Sequence, residues 1–174
     1  MVSNTLSFEE ALRASEGLFL EIEEVGDTEK TRQDLLAMLT EIPSCRGFFV
    51  SFLTGDSPLA DDTPEFMLQA MKESEHVPEL LAKNLIMSVT MKITHVRKGD
   101  QVNAAGSEQV ACRTAELIKR LKSAAVRTKL NELRSSIKMK AGVFGDFLKR
   151  WNYDDEQLQA ATAAIEQAVA SHNS

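Results

Sequence analysis

Residues Ser107 to Gly142 read SEQVACRTAELIKRLKSAAVRTKLNELRSSIKMKAG, and this stretch decides the expected fold because it has the longest helical periodicity in the chain. Its apolar residues recur at spacings of three and four, which places them on faces of an α-helix. They form two stripes, Val110, Thr114, Leu117, Leu121, Ala124 and then Val126, Leu130, Leu133, Ile137. The second stripe lies roughly 180° around the helix axis from the first.

Two structures would allow both apolar stripes to be buried. Either the helix breaks near Lys122 to Ala125, or one helix packs its two halves on different neighbours. Ala124 is a good helix former, as is Ala125, and no Gly or Pro intervenes. The sequence therefore predicts one continuous basic helix over about 107–141, preceded by a linker from Gly99 to Gly106.

Positive charge is concentrated in the same stretch. Residues 113–140 hold nine Lys or Arg and two Glu, a local net charge of +7 in a chain whose net charge is −6. Read as a heptad, the second stripe has basic e positions at Arg120, Arg127 and Arg134. The helix predicted over 7–25 has acidic e positions at Glu9, Glu16 and Glu23. This complementarity favours an antiparallel pairing of the two helices, in which the charges select the partner and the apolar seams supply the stability.

Composition and helix-boundary signals indicate the fold class of the rest of the chain and the ends of its helices. A chain of 174 residues that is 43% hydrophobic and 26% charged is typical of one globular domain. Ser7 with Glu10 and Asp154 with Gln157 are capping boxes, and Gly26 is a helix stop. Residues 86–96 show both helical spacing and strand-like alternation, which leaves both structures open. We expect an all-α, single-domain bundle of six to eight helices over residues 1–174.

The sequence predicts a cytoplasmic protein. The N-terminus has no basic region followed by an apolar core, and no apolar run approaches the length of a membrane span. Cys45 and Cys112 are far apart and belong to no paired motif, which is typical of a reducing compartment. The basic stretch contains no aromatic residue, so binding to nucleic acid is not expected.

No pattern of catalytic or metal-binding residues has the required spacing. Glu73 and His76 form one Glu-x-x-His, whereas a dicarboxylate metal bundle needs that motif twice. His95 and His172 have no identifiable partners, and the acidic loop after Gly55 lacks the alternation of a calcium site. The sequence therefore predicts no catalytic residue, no metal and no cofactor.

The leading hypothesis is a non-enzymatic interaction or regulatory protein that self-associates as a homodimer and also accepts a protein partner. The predicted interface residues are Val126, Leu130, Leu133, Ile137, Phe147 and Trp151. The alternative is a binder of a hydrophobic small molecule in a Met- and Phe-lined cavity. Its predicted lining residues are Phe48, Phe52, Met67, Met71, Met87 and Met91. A bundle enzyme of unknown reaction is the third hypothesis.

Overall fold

The computed structural model describes residues 6–171, and all regular secondary structure in this range is helical. The first four helices are α1 Phe8–Val25, α2 Glu29–Thr40, α3 Ile42–Thr54 and α4 Glu65–Glu73. The other five are α5 Val77–Arg97, α6 Gln101–Leu121, α7 Ala124–Met139, α8 Gly145–Trp151 and α9 Asp155–Ser171. A single 3₁₀ turn, Pro58–Ala60, lies between α3 and α4. The all-α prediction is confirmed, with one α-helix more than expected, and residues 86–96 belong to helix α5.

Several predicted helix boundaries are confirmed. Ser7 and Glu10 form the reciprocal capping box at the start of α1, with distances of 2.9 and 3.3 Å. Asp154 and Gln157 form the equivalent box at the start of α9, with both distances at 3.0 Å. α1 ends at Gly26, whose φ of +69° lies in the region that glycine occupies without steric cost.

The packing divides the chain into two compact units, Met1–Val77 and Pro78–Ser174. The first has 16 acidic and 5 basic residues, a net charge of −11, and is called the acidic unit below. The second has 10 acidic and 15 basic residues, a net charge of +5, and is called the basic unit. The single domain expected from chain length stays a prediction.

An aromatic cluster forms the core of the acidic unit, where α1 packs against α3 and α2. The ring of Phe48 lies 5.3 to 5.5 Å from the rings of Phe19, Phe49 and Phe52, and all four side chains are buried. The apolar seam of α1, predicted to pair with the basic stretch, is buried instead against helices of its own unit. The predicted antiparallel pairing is therefore wrong.

The basic stretch is two helices. Lys122 ends α6 with φ 46° and ψ 38°, a left-handed conformation, and Ser123 caps α7 by accepting a hydrogen bond from the backbone N–H of Val126 at 3.4 Å. The prediction of one continuous helix over about 107–141 is wrong. The break allows both opposed stripes to be buried, since Leu117, Leu121 and the start of the second stripe are all at most 3% exposed.

The predicted linker from Gly99 to Gly106 is also wrong over most of its length. Asp100 caps α6 by accepting from the backbone N–H of Asn103 at 3.1 Å, so the helix begins at Gln101 and Gly106 lies inside it. Aspartate competes well with serine as an N-cap, and here it lies seven residues before the predicted cap, Ser107.

Aliphatic side chains form the core of the basic unit, where α9 packs against α7 and α6. Leu130 and Leu133 of α7 are fully buried, as are Ala161 and Ile165 of α9. The side-chain amide of Gln157 adds a polar tie to α5, donating to the Thr90 carbonyl at 3.2 Å and to the Thr94 hydroxyl at 3.0 Å.

No single helix within residues 6–171 has both the length and the apolar character of a membrane span. One pair, α2 with α3, meets both criteria only when its two helices are taken together across a bend of 115°.

Candidate functional site

A groove of about 480 Å³ lies in the acidic unit, between α1 and the C-terminal end of α3. One wall consists of the α1 residues Leu12, Glu16, Phe19, Leu20 and Glu23. Ser51 and residues 54–58 form the other wall. We call this feature the acidic groove.

The close approach of α1 and α3 positions the groove. A Cβ atom on Gly47 would lie 2.7 Å from both the Ala11 Cβ and the Phe8 carbonyl oxygen, so only glycine permits this contact without a shift. One turn further along α3, the Ser51 hydroxyl donates to the Leu12 carbonyl at 3.3 Å. α3 then ends at Gly55, and the turn that follows it lines the end of the groove.

The groove exposes apolar surface to solvent. Phe19 is only 3% exposed and forms part of the floor, whereas Leu20 is 68% exposed at the edge. Within the described residues of the acidic unit, no other large apolar side chain is as exposed as Leu20. Covering such a side chain with an apolar partner is favourable by the hydrophobic effect.

Carboxylates surround the apolar surface. Glu16, Glu23 and Asp56 line the groove and all three are exposed. Glu23 accepts a hydrogen bond from the Ser57 hydroxyl at 2.6 Å, while Glu16 and Asp56 form no ion pair within residues 6–171. A ligand for this groove therefore combines an apolar face with positive charge.

The basic unit has a surface of opposite charge, which also exposes apolar side chains, at the end of α7. We call Arg134, Lys138, Met139, Lys140 and Val143 the basic corner. Met139 is 65% exposed and Val143 is 68% exposed. No acidic residue occurs between positions 133 and 145, and the three cations form no ion pair in the described part of the chain. The Arg134 guanidinium donates to the Asn131 side-chain oxygen at 3.1 Å, which leaves its charge uncompensated.

A second groove, of about 430 Å³, lies in the basic unit between α7 and α9. Ile137 contributes from α7, and side chains between Asp155 and Glu166 contribute from α9. Its walls mix apolar atoms with two carboxylates, and it is more open to solvent than the acidic groove.

A protein-family model described as "Uncharacterised conserved protein UCP020893" matches residues 7–168 of the chain. The chain belongs to this family. No curated protein and no solved structure shows significant similarity to it. The range matched by the family includes the acidic groove, the basic corner and the second groove.

The predicted interface residues are divided between core and surface in this family member. Val126, Leu130 and Leu133 are at most 1% exposed and pack inside the basic unit. Ile137 lines the second groove, Phe147 is half-buried and Trp151 is 40% exposed. The three deeply buried residues are unavailable on the folded surface, and an interface through the remaining three stays a prediction.

The predicted ligand-binding residues lie mostly in the core. Phe48 and Phe52 stack with their ring centroids 5.5 Å apart and are at most 1% exposed. Met67 and Met71 of α4 are equally buried, whereas Met87 and Met91 of α5 are half-buried. None of these six residues lines either groove described above, and their role in ligand binding stays a prediction.

The thiols differ in their surroundings. Cys45 is fully buried, and this burial raises the pKa of its thiol to about 12, although a hydrogen bond with Ser74 acts in the opposite direction. The thiol is therefore neutral near pH 7 and is a poor nucleophile. Cys112 is exposed on α6, and neither thiol forms a disulfide.

Two of the candidate histidines, His76 and His95, each lie near an oxygen atom of the protein. The His76 ring nitrogen Nε2 lies 3.1 Å from the Thr40 carbonyl oxygen, and the His95 Nδ1 lies 3.8 Å from a carboxylate oxygen of Asp100. His172 lies outside the described residues. Among residues 6–171, no three histidine, cysteine or acidic side chains cluster as metal ligands would.

Sequence reasoning missed the groove and the corner, although both leave a signal. Leu20 falls outside the apolar seam of α1 and lies between acidic residues, which is unexpected for a leucine in a purely solvated face. Met139 and Val143 lie among lysines at the end of the second stripe. In both places an apolar side chain is exposed within a region of one charge, a combination that indicates a contact surface.

Proposed function

We propose that the protein is a non-enzymatic interaction or regulatory protein that binds basic, amphipathic helical segments in its acidic groove. The observation that carries this proposal is the combination of an exposed leucine, an aromatic floor and carboxylates in one concave surface of α1 and α3. Grooves between helices bind amphipathic helices through apolar anchors spaced by three or four residues.

The two kinds of contact have different roles in this binding. Burying one leucine-sized side chain contributes about 1.5–3 kcal/mol, whereas an exposed ion pair contributes about 0.2–1 kcal/mol. The apolar contact with Leu20 therefore supplies most of the affinity. Glu16, Glu23 and Asp56 select against acidic partners and accelerate association with basic ones.

A cytosolic location is part of the proposal. Its support is the pair of thiols, Cys45 and Cys112, which remain free in the structure. Proteins in oxidising compartments more often pair their cysteines, and an exposed unpaired thiol such as Cys112 is typical of compartments that contain reductants.

A designed peptide tests the groove directly. The probe is a labelled helical peptide of about 18 residues with leucines on one face and lysines elsewhere, long enough to form a helix. We expect fluorescence anisotropy to show saturable binding that Leu20→Lys weakens about tenfold or more, equivalent to about 1.4 kcal/mol.

Leu36→Lys is the matched control for this experiment. Leu36 is an exposed leucine on α2, outside the groove, and its substitution changes the net charge by the same amount. Equal weakening by both variants would show that the peptide responds to net charge alone. Equal binding of a peptide that has lysines but no leucines would also contradict the proposal.

A further inference from the structure

We infer that the acidic groove binds the basic corner of a second copy of the chain, and that the two copies form a two-fold dimer in which this contact occurs twice. The inference rests on the proposed function, because it names the partner of the acidic groove. Neither surface contains any of the six interface residues predicted from the sequence, so the inferred contact differs from the predicted one.

Charge complementarity is the first argument. The groove presents Glu16 and Asp56, which form no ion pair within residues 6–171. The corner presents Arg134, Lys138 and Lys140, which form none there either. The groove lies in a unit of net charge −11 and the corner lies in a unit of net charge +5, so each surface has the same sign of charge as the unit that contains it.

Apolar complementarity is the second argument. Leu20 on the groove is 68% exposed, and Met139 and Val143 on the corner are 65% and 68% exposed. Each of these side chains stands among residues of a single charge, and each loses its contact with water when the two surfaces meet. The unbranched methionine side chain adapts to the irregular floor formed by α1 and α3.

The other exposed apolar residues of the basic unit fit the groove less well. Val96 is followed by Arg97, whose guanidinium already binds the carboxylates of Asp154 and Glu156. Val102 lies two residues from Asp100, which would face the acidic wall of the groove. Trp151 follows two exposed cations, Lys149 and Arg150, but it is only 40% exposed and its ring stacks on Tyr153 with the ring centroids 6.2 Å apart. The basic corner has two apolar side chains that are more exposed than Trp151, together with three cations that form no ion pair within residues 6–171.

A contact between two different surfaces either propagates into a chain of copies or closes on itself. In a two-fold dimer each copy contributes one groove and one corner, so both contacts are satisfied and the assembly stops at two. This stoichiometry makes the inference testable by exchanging the charges of the two surfaces.

Two charge-reversal variants form the test. The groove variant carries Glu16→Lys and Asp56→Lys, and the corner variant carries Arg134→Glu and Lys138→Glu. All four side chains are exposed, and circular dichroism verifies that both variants remain folded. We expect native mass spectrometry and light scattering to show a wild-type dimer, and each variant alone to have a dimer dissociation constant raised about tenfold or more.

The mixture of the two variants is the decisive sample. Each homodimer would oppose like charges, whereas a heterodimer pairs a basic groove with an acidic corner and an acidic groove with a basic corner. We expect a one-to-one mixture to form heterodimers at concentrations where each variant alone is monomeric. A mixture that stays monomeric while the wild type dimerises would show that other surfaces make the dimer, and a monomeric wild type would overturn the inference outright.

The corner variant also separates this inference from the proposed function, because its groove is intact and unoccupied by a partner. We expect it to bind the leucine–lysine peptide more tightly than the wild type does, since the peptide no longer competes with a second copy. Peptide binding by a monomeric wild type would retain the proposed function and reject the dimer. If the wild type dimerises but the corner variant does not bind the peptide, the groove is neither the peptide-binding site nor the dimer contact, and both proposals are rejected.

Discussion

The acidic and basic units bury their helices with different side chains. In the acidic unit, phenylalanines fill the space between helices, and α1 and α3 touch only because position 47 is glycine. In the basic unit, α7 and α9 meet through leucines facing a helix with buried Ala161 and Ala168. Close helix contact therefore needs a small residue in both units. In the acidic unit that residue must be glycine, at position 47, whereas alanine is small enough in the basic unit.

Truncating the two cores has the largest expected effect. We expect Phe48→Ala to lower the free energy of unfolding by about 3–5 kcal/mol and Leu130→Ala to lower it by about 2–5 kcal/mol, because both side chains are fully buried. Urea denaturation followed by circular dichroism measures both changes. A loss below about 1 kcal/mol for either variant would show that the site collapses around the deletion and is not closely packed.

Glycine replacement tests the close contact between α1 and α3 in the acidic unit against two glycines that have space around them. Gly47→Ala must push α1 away from α3, and overpacking of this kind costs about 1–3 kcal/mol. Gly17→Ala in α1 and Gly106→Ala in α6 meet no atom within 4 Å, so we expect each to stabilise its helix by up to about 1 kcal/mol. Calorimetric melting of the three variants tests the difference, and a stabilising Gly47→Ala would contradict the close approach.

Each unit contains one cysteine, and the two thiols differ in their accessibility to reagents. Under native conditions we expect a disulfide reagent such as Ellman's reagent to modify Cys112 rapidly and to leave Cys45 unreacted until the protein is denatured. The variants Cys112→Ser and Cys45→Ala assign each reaction. Rapid labelling of Cys45 in the folded protein would indicate that the core around α3 opens readily.

Burial of Cys45 also makes stability depend on pH. The folded pKa of about 12 lies above the ordinary thiol pKa of 9.0, so below pH 9 the thiol is protonated in both states and its contribution is fully present. Between about pH 9 and 12 the unfolded state loses its proton first, and stability falls by at most about 1.4 kcal/mol per pH unit. We expect Cys45→Ala to show a shallower fall in unfolding free energy over this interval.

The smallest expected change in stability concerns the groove. Leu20 is mostly exposed, so Leu20→Lys should alter the free energy of unfolding by no more than about 0.5 kcal/mol while it weakens peptide binding. Chemical denaturation and fluorescence anisotropy on the same sample separate the two effects. A large loss of stability would place Leu20 in the core of the acidic unit and not at a binding surface.

Local signals made part of the fold predictable from sequence. The capping boxes at Ser7 and Asp154 and the stop at Gly26 depend on residues within one helical turn, and all three are confirmed. The break at Lys122 was harder to predict, because lysine has no preference for left-handed backbone and the alanines that follow favour helix. The opposed stripes were the better signal, since one straight helix buries both only if it has neighbours on both sides.

The acidic groove could not be predicted from α1 alone. The groove forms because α3 approaches α1 at Gly47 and then ends at Gly55. At both positions α3 lies beside α1 residues that are distant in the sequence. The charges on its wall were visible as the e positions Glu16 and Glu23, but their predicted partner was a helix of the same chain. Leu20 completes the surface only because it lies next to those carboxylates on the folded helix.

The left-handed helix ends of the basic unit have a consequence for protein engineering. Lys122 and Lys140 both have positive φ, at 46° and 52°, where a side chain costs roughly 1–2 kcal/mol relative to glycine. Glycine at these positions would stabilise the unit, but each substitution would also remove one positive charge. A thermostabilised version of this protein obtained in this way would therefore be less basic, and replacing Lys140 would weaken the surface inferred to hold its dimer together.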